Sequence, residues 1–92
     1  MKEDYRFAWD ERKNRVNLRK HGVSFEEAML IWDDPMFVQV RLRSSPEVRW
    51  AVIGRIAKDR YLAAVITYRG ETVRIISARR ATKKEVDIYG RH

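Results

Sequence analysis

Four basic residues lie close together in sequence at a predicted junction between a strand and a helix. The segment from residue 74 to residue 90 reads RIISARRATKKEVDIYG. It contains the basic residues Arg79, Arg80, Lys83 and Lys84. If Thr82 caps the helix, both lysines fall in its first turn, where the helix dipole disfavours an exposed cation by about 0.3–1 kcal/mol. Because the free N–H groups of a helix N-terminus bind anions, the added cations predict a phosphate-binding site.

The same crowding should affect stability. Like charges repel, so removing Arg79 or a neighbouring lysine is expected to leave folding unchanged or to improve it. Side chains alternate along a strand, so Arg74 is expected on the face that carries Arg80, with Arg79 on the opposite face. Only one of these two later arginines is then expected to share a cleft with Arg74.

A second basic group lies on an earlier predicted helix, which begins after Asp10 and ends at Gly22. At 100° per residue, this helix carries a basic stripe made of Arg12, Arg15 and Arg19. His21 lies at its C-terminus, where the dipole favours a protonated imidazole. A role of His21 as general acid or base remains an alternative.

The sequence does not indicate metal chemistry. The chain has two histidines, His21 and His92, far apart in sequence, and no cysteine. Zinc sites use clusters of these residue types, so we expect neither a metal site nor a cofactor. Asp33 and Asp34 precede Pro35 and are expected in a solvated turn.

Hydrophobic patterns predict the elements that position these groups. YRFAW (residues 5–9) alternates and predicts a short strand. Ser24 and Glu27 have capping-box spacing at the start of VSFEEAMLIWDDP (residues 23–35), which predicts a second helix. Its apolar stripe, which should pack on the core, consists of Phe25, Ala28, Met29 and Trp32.

Four strands are predicted next, over residues 36–42, 48–56, 60–68 and 72–79, joined by turns that favour an antiparallel meander. The strand over 60–68 is continuously apolar and is expected at the centre. Thr82 and Glu85 have capping-box spacing for a last helix. The order β-α-α-β-β-β-β-α predicts an α+β fold, and 92 residues suit one domain over residues 1–92.

Charge is the most informative feature of the composition. The net charge is +7, although residues 23–40 carry four acidic and no basic side chains. A basic domain attracts polyanions, of which nucleic acid is the commonest in a cell. We expect no membrane association, because no apolar run approaches the ~20 residues of a membrane span. We expect a cytoplasmic protein, since the N-terminal residues have no apolar core of a signal peptide.

Two longer motifs carry a resemblance to a known family. They are NLRKHGVSFEEA (residues 17–28) and RIISARRATKKEVDIY (residues 74–89). Together they resemble the BrnT family of bacterial type II toxins over almost the whole chain. The resemblance implies a RelE-like fold, with an antiparallel sheet, two N-terminal helices and a short C-terminal helix. It also implies a ribonuclease that halts translation, and a partner antitoxin of the BrnA type with a ribbon-helix-helix part that binds operator DNA as a complex.

The resemblance also implies which residues act. Such toxins cleave RNA by in-line attack of the 2′-hydroxyl, with basic and aromatic side chains and no metal. The expected catalytic residues are Arg74, Arg79, Glu85, Tyr89 and His21. Among the expected RNA-binding residues, Lys20 is implied by the resemblance. The others, Arg80, Lys83, Lys84, Arg12, Arg15 and Arg19, are expected from the two basic groups described above.

The proton donor and acceptor stay open at this point. Arginine stabilises charge that grows on the phosphoryl oxygens. Glu85 or a lysine with a lowered pKa can serve as base, and Tyr89 or His21 as acid. Two other functions also fit the charge, namely a non-catalytic nucleic-acid-binding module and a ParE-like toxin that acts on a protein target.

Overall fold

The predicted order of helices and strands is confirmed. The structure is a computed structural model that describes residues 5–91, so that His92 lies outside the described residues. Its elements are β1 (Arg6–Ala8), α1 (Glu11–His21), α2 (Phe25–Ala28), a 3₁₀ helix (Met29–Asp33), β2 (Val38–Arg43), β3 (Arg49–Ala57), β4 (Arg60–Arg69), β5 (Thr72–Arg80) and α3 (Lys83–Gly90). None of the helices within residues 5–91 has the length and hydrophobicity that crossing a bilayer requires.

The sheet is mixed and has the strand order β1-β5-β4-β3-β2. The predicted antiparallel meander is confirmed for β2 to β5, with β4 at the centre. β1 adds a parallel pair, because it lies along the outer edge of β5 that the meander leaves open. The fold is therefore α+β as predicted, with one parallel pair in an otherwise antiparallel sheet.

One face of the sheet, the helical face, packs against α2 and the 3₁₀ helix. Phe25, Ala28 and Trp32 of the predicted stripe are buried there. Ile31 is fully buried and Met29 only partly so, because a 3₁₀ helix has three residues per turn and shifts the inward face after Ala28. The close approach of this helix to β3 requires a glycine, since a Cβ on Gly54 would lie 2.9 Å from Ile31 Cγ2.

α1 docks through two buried asparagines and not through its apolar residues. Val16 and Leu18 are 46% and 48% exposed, whereas Asn14 and Asn17 are buried. The Asn17 side chain accepts a hydrogen bond from the Ala78 N–H at 3.2 Å and donates one to the Ala78 carbonyl at 2.7 Å. Asn17 thus supplies hydrogen-bond partners for the backbone of β5 at Ala78, beyond the end of β1. The same contact holds the C-terminal half of α1 beside β5.

A bulge in β5 corrects the predicted alternation of its side chains. Val65 pairs with Ser77 and Ile66 with Ile75, which leaves Ile76 without a partner on β4. Val73, Ile75 and Ala78 are all buried in the core of the helical face. Strict alternation is therefore wrong beyond Ile75, since an extra residue in a strand reverses the phase of all later side chains.

The opposite face of the sheet, the open face, carries Arg74, Ser77 and Arg79 of β5 as a result. The β4 residues paired with these three, in the same order, are Thr67, Val65 and Ala63. α3 packs against β3 and covers the Arg79 end of this face. The arginine expected to share a face with Arg74 was Arg80, and the bulge puts Arg79 there instead.

Candidate functional site

Three of the predicted site residues, Arg12, Lys20 and His21, line a cleft between α1 and β5, the α1 cleft. It has a volume of about 270 Å³. Its basic side chains are Arg12, Lys13, Lys20 and His21, and β5 contributes Ile76 and Ser77. Asn17 fixes α1 against Ala78, so the contact that docks the helix also places Lys20 and His21 beside the bulge.

A smaller cavity, the arginine cleft, adjoins the α1 cleft and shares Lys13 and Ile76 with it. It has a volume of about 140 Å³, and three arginines from three strands line it: Arg49, Arg69 and Arg74. Glu47 lies 3.5 Å from Arg49 and 4.0 Å from Arg69. Glu47 thus faces two guanidinium groups, and the carboxylate of Asp10 lines the same cavity. Within residues 5–91, Arg74 forms no ion pair.

The four-cation junction contains its own anion, which sequence reasoning did not anticipate. Glu85 Oε1 lies 2.7 Å from Arg79 Nη1, and Glu85 Oε2 lies 2.9 Å from Arg79 Nη2. Glu85 also accepts the Thr82 N–H while Thr82 Oγ1 accepts the Glu85 N–H, which is the predicted capping box. The expected repulsion is therefore offset at Arg79, and the premise that removing Arg79 relieves strain is wrong.

This ion pair sets the protonation of both partners. The hydrogen bonds from Arg79 hold the pKa of Glu85 below its ordinary value, although burial acts in the opposite direction. The same hydrogen bonds raise the pKa of Arg79. Glu85 is thus an ionised carboxylate that three N–H donors already occupy, two from Arg79 and one from Thr82, which makes it a weak proton acceptor.

Tyr89 lies against the β3–β4 end of the sheet, where Asp34 binds it. Its hydroxyl donates to Asp34 Oδ2 at 2.7 Å, and its ring packs edge-on against Tyr61 with 5.4 Å between centroids. Burial, with this hydrogen bond, raises the pKa of Tyr89 to about 12. The structure does not bring Tyr89 together with the residues of the two basic clefts.

Asp34 is partly buried and anchors neighbouring groups, although it was expected in a solvated turn. Besides the Tyr89 hydroxyl, it accepts the N–H groups of Met36 and Arg55, each at 2.8 Å. Burial acts to raise the pKa of Asp34, but these hydrogen bonds outweigh it and lower the pKa below the ordinary value. Asp34 therefore ties the C-terminal half of α3 to the sheet.

Several predicted RNA-binding residues lie outside both basic clefts. Arg15, Arg19, Arg80 and Lys83 are exposed, and none of the four lines the α1 cleft or the arginine cleft. Lys84 lines a separate groove between α3 and β2. Of the basic stripe predicted on α1, Arg12 lines the α1 cleft, whereas Arg15 and Arg19 do not.

Sequence reasoning missed Lys13, Arg49, Arg69 and Ser77. Ser77 lies within the quoted motif RIISAR, but only the bulge turns it toward the open face. Arg49 and Arg69 come from the β3 and β4 ends next to Arg74, and pairing of the strands brings them together. A period-two analysis of all three strands together would have placed these two arginines on one face with Thr67.

The two clefts offer several cations, one imidazole and one hydroxyl, which suit chemistry on a phosphodiester, together with the carboxylates of Asp10 and Glu47. Within residues 5–91 there is no cluster of three or more His, Cys, Asp and Glu side chains that could hold a metal ion. Guanidinium groups bind phosphate in a bidentate manner, and lysine acts as a point charge beside it. Imidazole exchanges protons near neutral pH.

Comparisons with known proteins identify the family and the fold of the chain. A family model described as "Ribonuclease toxin, BrnT, of type II toxin-antitoxin system" matches residues 9–85. Among solved structures, the chain is similar to the ribonuclease toxin BrnT of Brucella abortus, determined at 1.1 Å, with a TM-score of 0.64 and 22% identity. The match covers 87% of this chain and 100% of that chain, and at this identity it establishes the fold. No curated protein matches the chain.

Proposed function

Because the chain belongs to the BrnT family of ribonuclease toxins of type II toxin–antitoxin systems, we propose that it cleaves RNA on the open face of its sheet. The observation that carries the proposal is the bulge at Ile76, which aligns Arg74, Ser77 and Arg79 on one face beside the basic α1 cleft. The whole chain, residues 1–92, acts as a single RelE-like toxin domain in this proposal.

Arg74 is proposed to bind the scissile phosphate. It lines the arginine cleft and adjoins the α1 cleft through Lys13 and Ile76. A guanidinium at this position stabilises the charge that grows on the phosphoryl oxygens, an effect worth about 10²–10³-fold in rate for one donor. Arg79 lies at the far end of the open face, where its ion pair with Glu85 fixes its orientation.

We propose His21 as the group that transfers a proton. The 2′-hydroxyl attacks the adjacent phosphorus in line, its proton passes to a base, and the leaving 5′-oxygen receives a proton from an acid. Glu85 and Tyr89 both have their polar atoms bound to Arg79 and Asp34, respectively. His21 and Lys20 line a solvent-open cleft beside Ser77, where an RNA strand can reach them.

We further propose the biological setting. The toxin acts in the cytoplasm, halts translation, and is held by a BrnA-type antitoxin whose ribbon-helix-helix part binds operator DNA. The toxin itself contacts that DNA only through the complex. Because ribbon-helix-helix domains pair, toxin and antitoxin are expected in a 1:1 ratio within a larger assembly.

The test uses one RNA in two forms, one with ribose throughout and one with a 2′-deoxy sugar at the cleavage position. Each form is presented both alone and on translating ribosomes. The proposal predicts products with 2′,3′-cyclic phosphate and 5′-hydroxyl ends, and no cleavage at a position that carries a 2′-deoxy sugar. For the RNA presented alone, it predicts that cleavage continues in EDTA. Cleavage of the 2′-deoxy position, or a requirement for metal, would contradict the mechanism. Binding to RNA without any cleavage in either presentation would favour a non-catalytic module.

A further inference from the structure

The outer edge of the sheet offers a second surface, formed by β2 and the groove between β2 and α3. We propose that this surface binds an extended acidic segment of the antitoxin, which adds to the sheet as a sixth strand beside β2. The identity of the occupant rests on the proposed function, because an antitoxin exists only if the chain is a toxin. The surface itself consists of residues that the cleavage mechanism does not use, apart from the Arg79–Glu85 pair.

β2 has the length and position that strand addition requires. It is the outermost strand of the sheet, so one side of its backbone faces no other strand within residues 5–91. It has six residues, whereas β1 at the other edge has three. Unpaired backbone N–H and C=O groups along such an edge are a template for another chain, and main-chain hydrogen bonds supply affinity in this mode of recognition.

The groove beside β2 supplies apolar contacts for an added strand. It has a volume of about 320 Å³ and runs from β2 to the first two turns of α3. Val40 and Leu42 are 36% and 53% exposed on its β2 side, and Ile88 lines its α3 side. Val40 and Leu42 alternate along β2, so side chains that alternate along a partner strand can contact both.

The charge around this surface favours an acidic partner. Arg41 and Arg43 are exposed on β2, and Lys84 lines the groove from α3. Glu85 is the acidic residue of the groove, and Arg79 already neutralises it. An acidic segment would pair with the exposed cations, and complementary charge both speeds association and excludes partners of like charge.

The same charges disfavour the other occupants. In antiparallel self-pairing of β2, Arg41 and Arg43 of one copy would lie close to the same residues of the second copy, and like charges across a strand pair are destabilising. RNA would need flat side chains on which its bases stack. Val40, Leu42 and Ile88 are aliphatic.

Binding at this edge would also inhibit the toxin. Arg79 and Glu85 line the same groove, so side chains of an added strand that reach into it would lie at the α3 end of the open face. The antitoxin can therefore block RNA without occupying the α1 cleft.

The test combines hydrogen exchange with a matched pair of variants. The probe is the antitoxin encoded by the gene next to that of the toxin, added at saturation to the full chain. Amide exchange in residues 38–43 should slow by about tenfold or more on binding. Leu42→Ser should weaken antitoxin affinity by about tenfold or more, and Leu18→Ser, which removes a similarly exposed leucine from α1, should leave it unchanged.

Both substitutions are uncharged, so RNA cleavage by each free variant should match that of the wild-type chain. Unchanged exchange of β2 amides in the saturated complex would overturn the proposal, as would wild-type affinity of Leu42→Ser. Loss of RNA cleavage in Leu42→Ser alone would assign the groove to RNA, and a wild-type dimer that Leu42→Ser dissociates would assign it to a second copy. Absence of cleavage by the wild-type chain would instead refute the proposed function.

Discussion

At the scale of single residues, Ile76 and Asn17 decide which cations lie together. The unpaired Ile76 turns Ser77 and Arg79 to the open face with Arg74. Asn17 binds both backbone groups of Ala78 and so holds Lys20 and His21 next to that bulge. Neither residue is charged, yet their backbone effects create a basic site from residues that are distant in sequence.

The neighbours Lys20 and Arg19 provide a test of the α1 cleft. Lys20 lines the cleft, whereas Arg19 is exposed and does not line it. Lys20→Ala should weaken RNA binding and reduce the slope of log affinity against log salt by about 0.7–0.9, as expected for one lost phosphate contact. Arg19→Ala has the same change in net charge and should leave the slope within about 0.3 of the wild-type value.

RNA binding measured at several salt concentrations decides this prediction. Equal slopes for Lys20→Ala and Arg19→Ala would mean that RNA responds only to net charge, and the α1 cleft would then have no specific role.

Sequence could identify most of these residues but not their arrangement. Arg74, Arg79, Lys20 and His21 stand out by type and motif. The face that each occupies depends on a bulge, and a bulge follows from the pairing of β5 with β4, which a single strand does not reveal. Lys13 and Arg49 remained unnoticed because only the folded sheet brings them beside Arg74.

At the scale of elements, α3 is held to the sheet at both ends by side-chain contacts. No residue of α3 is fully buried. Its first turn is fixed by the Arg79–Glu85 pair, and Tyr89 in its last turn donates to Asp34. Sequence predicted the capping box of Thr82 and Glu85, but the binding of Glu85 to Arg79 and of Tyr89 to Asp34 required the tertiary structure.

Removing Arg79 should destabilise the fold, in contrast to the expectation from charge repulsion alone. The Arg79 side chain is 42% exposed and that of Glu85 is 17% exposed, so the pair lies between surface and buried cases. Arg79→Ala should lower the free energy of unfolding by about 1–2 kcal/mol at pH 7. Lys84→Ala should be neutral or slightly stabilising, because Lys84 occupies the unfavourable end of the helix dipole.

The difference between wild type and Arg79→Ala should depend on pH in a defined direction. The pKa of Glu85 is lower in the folded protein than in the unfolded chain. Its contribution to stability is therefore complete above the unfolded-state pKa and disappears as the pH falls through the folded-state pKa. Urea unfolding at pH 7 and near pH 3 measures this. A difference that stays the same at both pH values would show that the ion pair is not its cause.

Tyr89 provides the corresponding test at the other end of α3. If its hydroxyl serves to bind Asp34, Tyr89→Phe should cost about 1–2 kcal/mol of unfolding free energy, since the Asp34 carboxylate loses a donor. RNA cleavage at a temperature where both proteins are folded should then stay within about twofold. A fall in the cleavage rate of about 10²-fold with unchanged stability would instead make Tyr89 the general acid.

At the scale of the whole molecule, acidic side chains of residues 23–40 make contacts that hold the fold together, while the basic regions remain available to bind RNA. Glu26 accepts from Asn14, Glu27 pairs with Arg60 at 2.9 Å, and Asp34 accepts from Tyr89. The band therefore connects α1, the sheet and α3. A net charge of +7 attracts RNA from a distance. Basic side chains of α1 and β5 concentrate this positive charge at the open face.

The core of the helical face should dominate stability. Trp32 is 6% exposed and contacts Phe7 edge-on, with 5.0 Å between ring centroids. Trp32→Ala should lower the free energy of unfolding by about 3–5 kcal/mol, as for other large core truncations. The neighbouring Leu30 is 44% exposed, so Leu30→Ala should cost less than about 1 kcal/mol. Denaturant unfolding of both variants tests this, and a cost below about 1 kcal/mol for Trp32→Ala would contradict the packing described.

The central claim is that RNA is cleaved on the open face at Arg74, and one rate comparison tests it most directly. Arg74→Ala and Arg80→Ala remove the same charge from the same strand, but Arg80 pairs with Leu62 of the helical face. Single-turnover cleavage of one RNA is measured in EDTA, at a temperature where both variants and the wild type are folded. The rate should be at least about 10²-fold slower for Arg74→Ala and within about twofold of wild type for Arg80→Ala. Cleavage by Arg74→Ala at the wild-type rate would place the chemistry elsewhere and contradict the account.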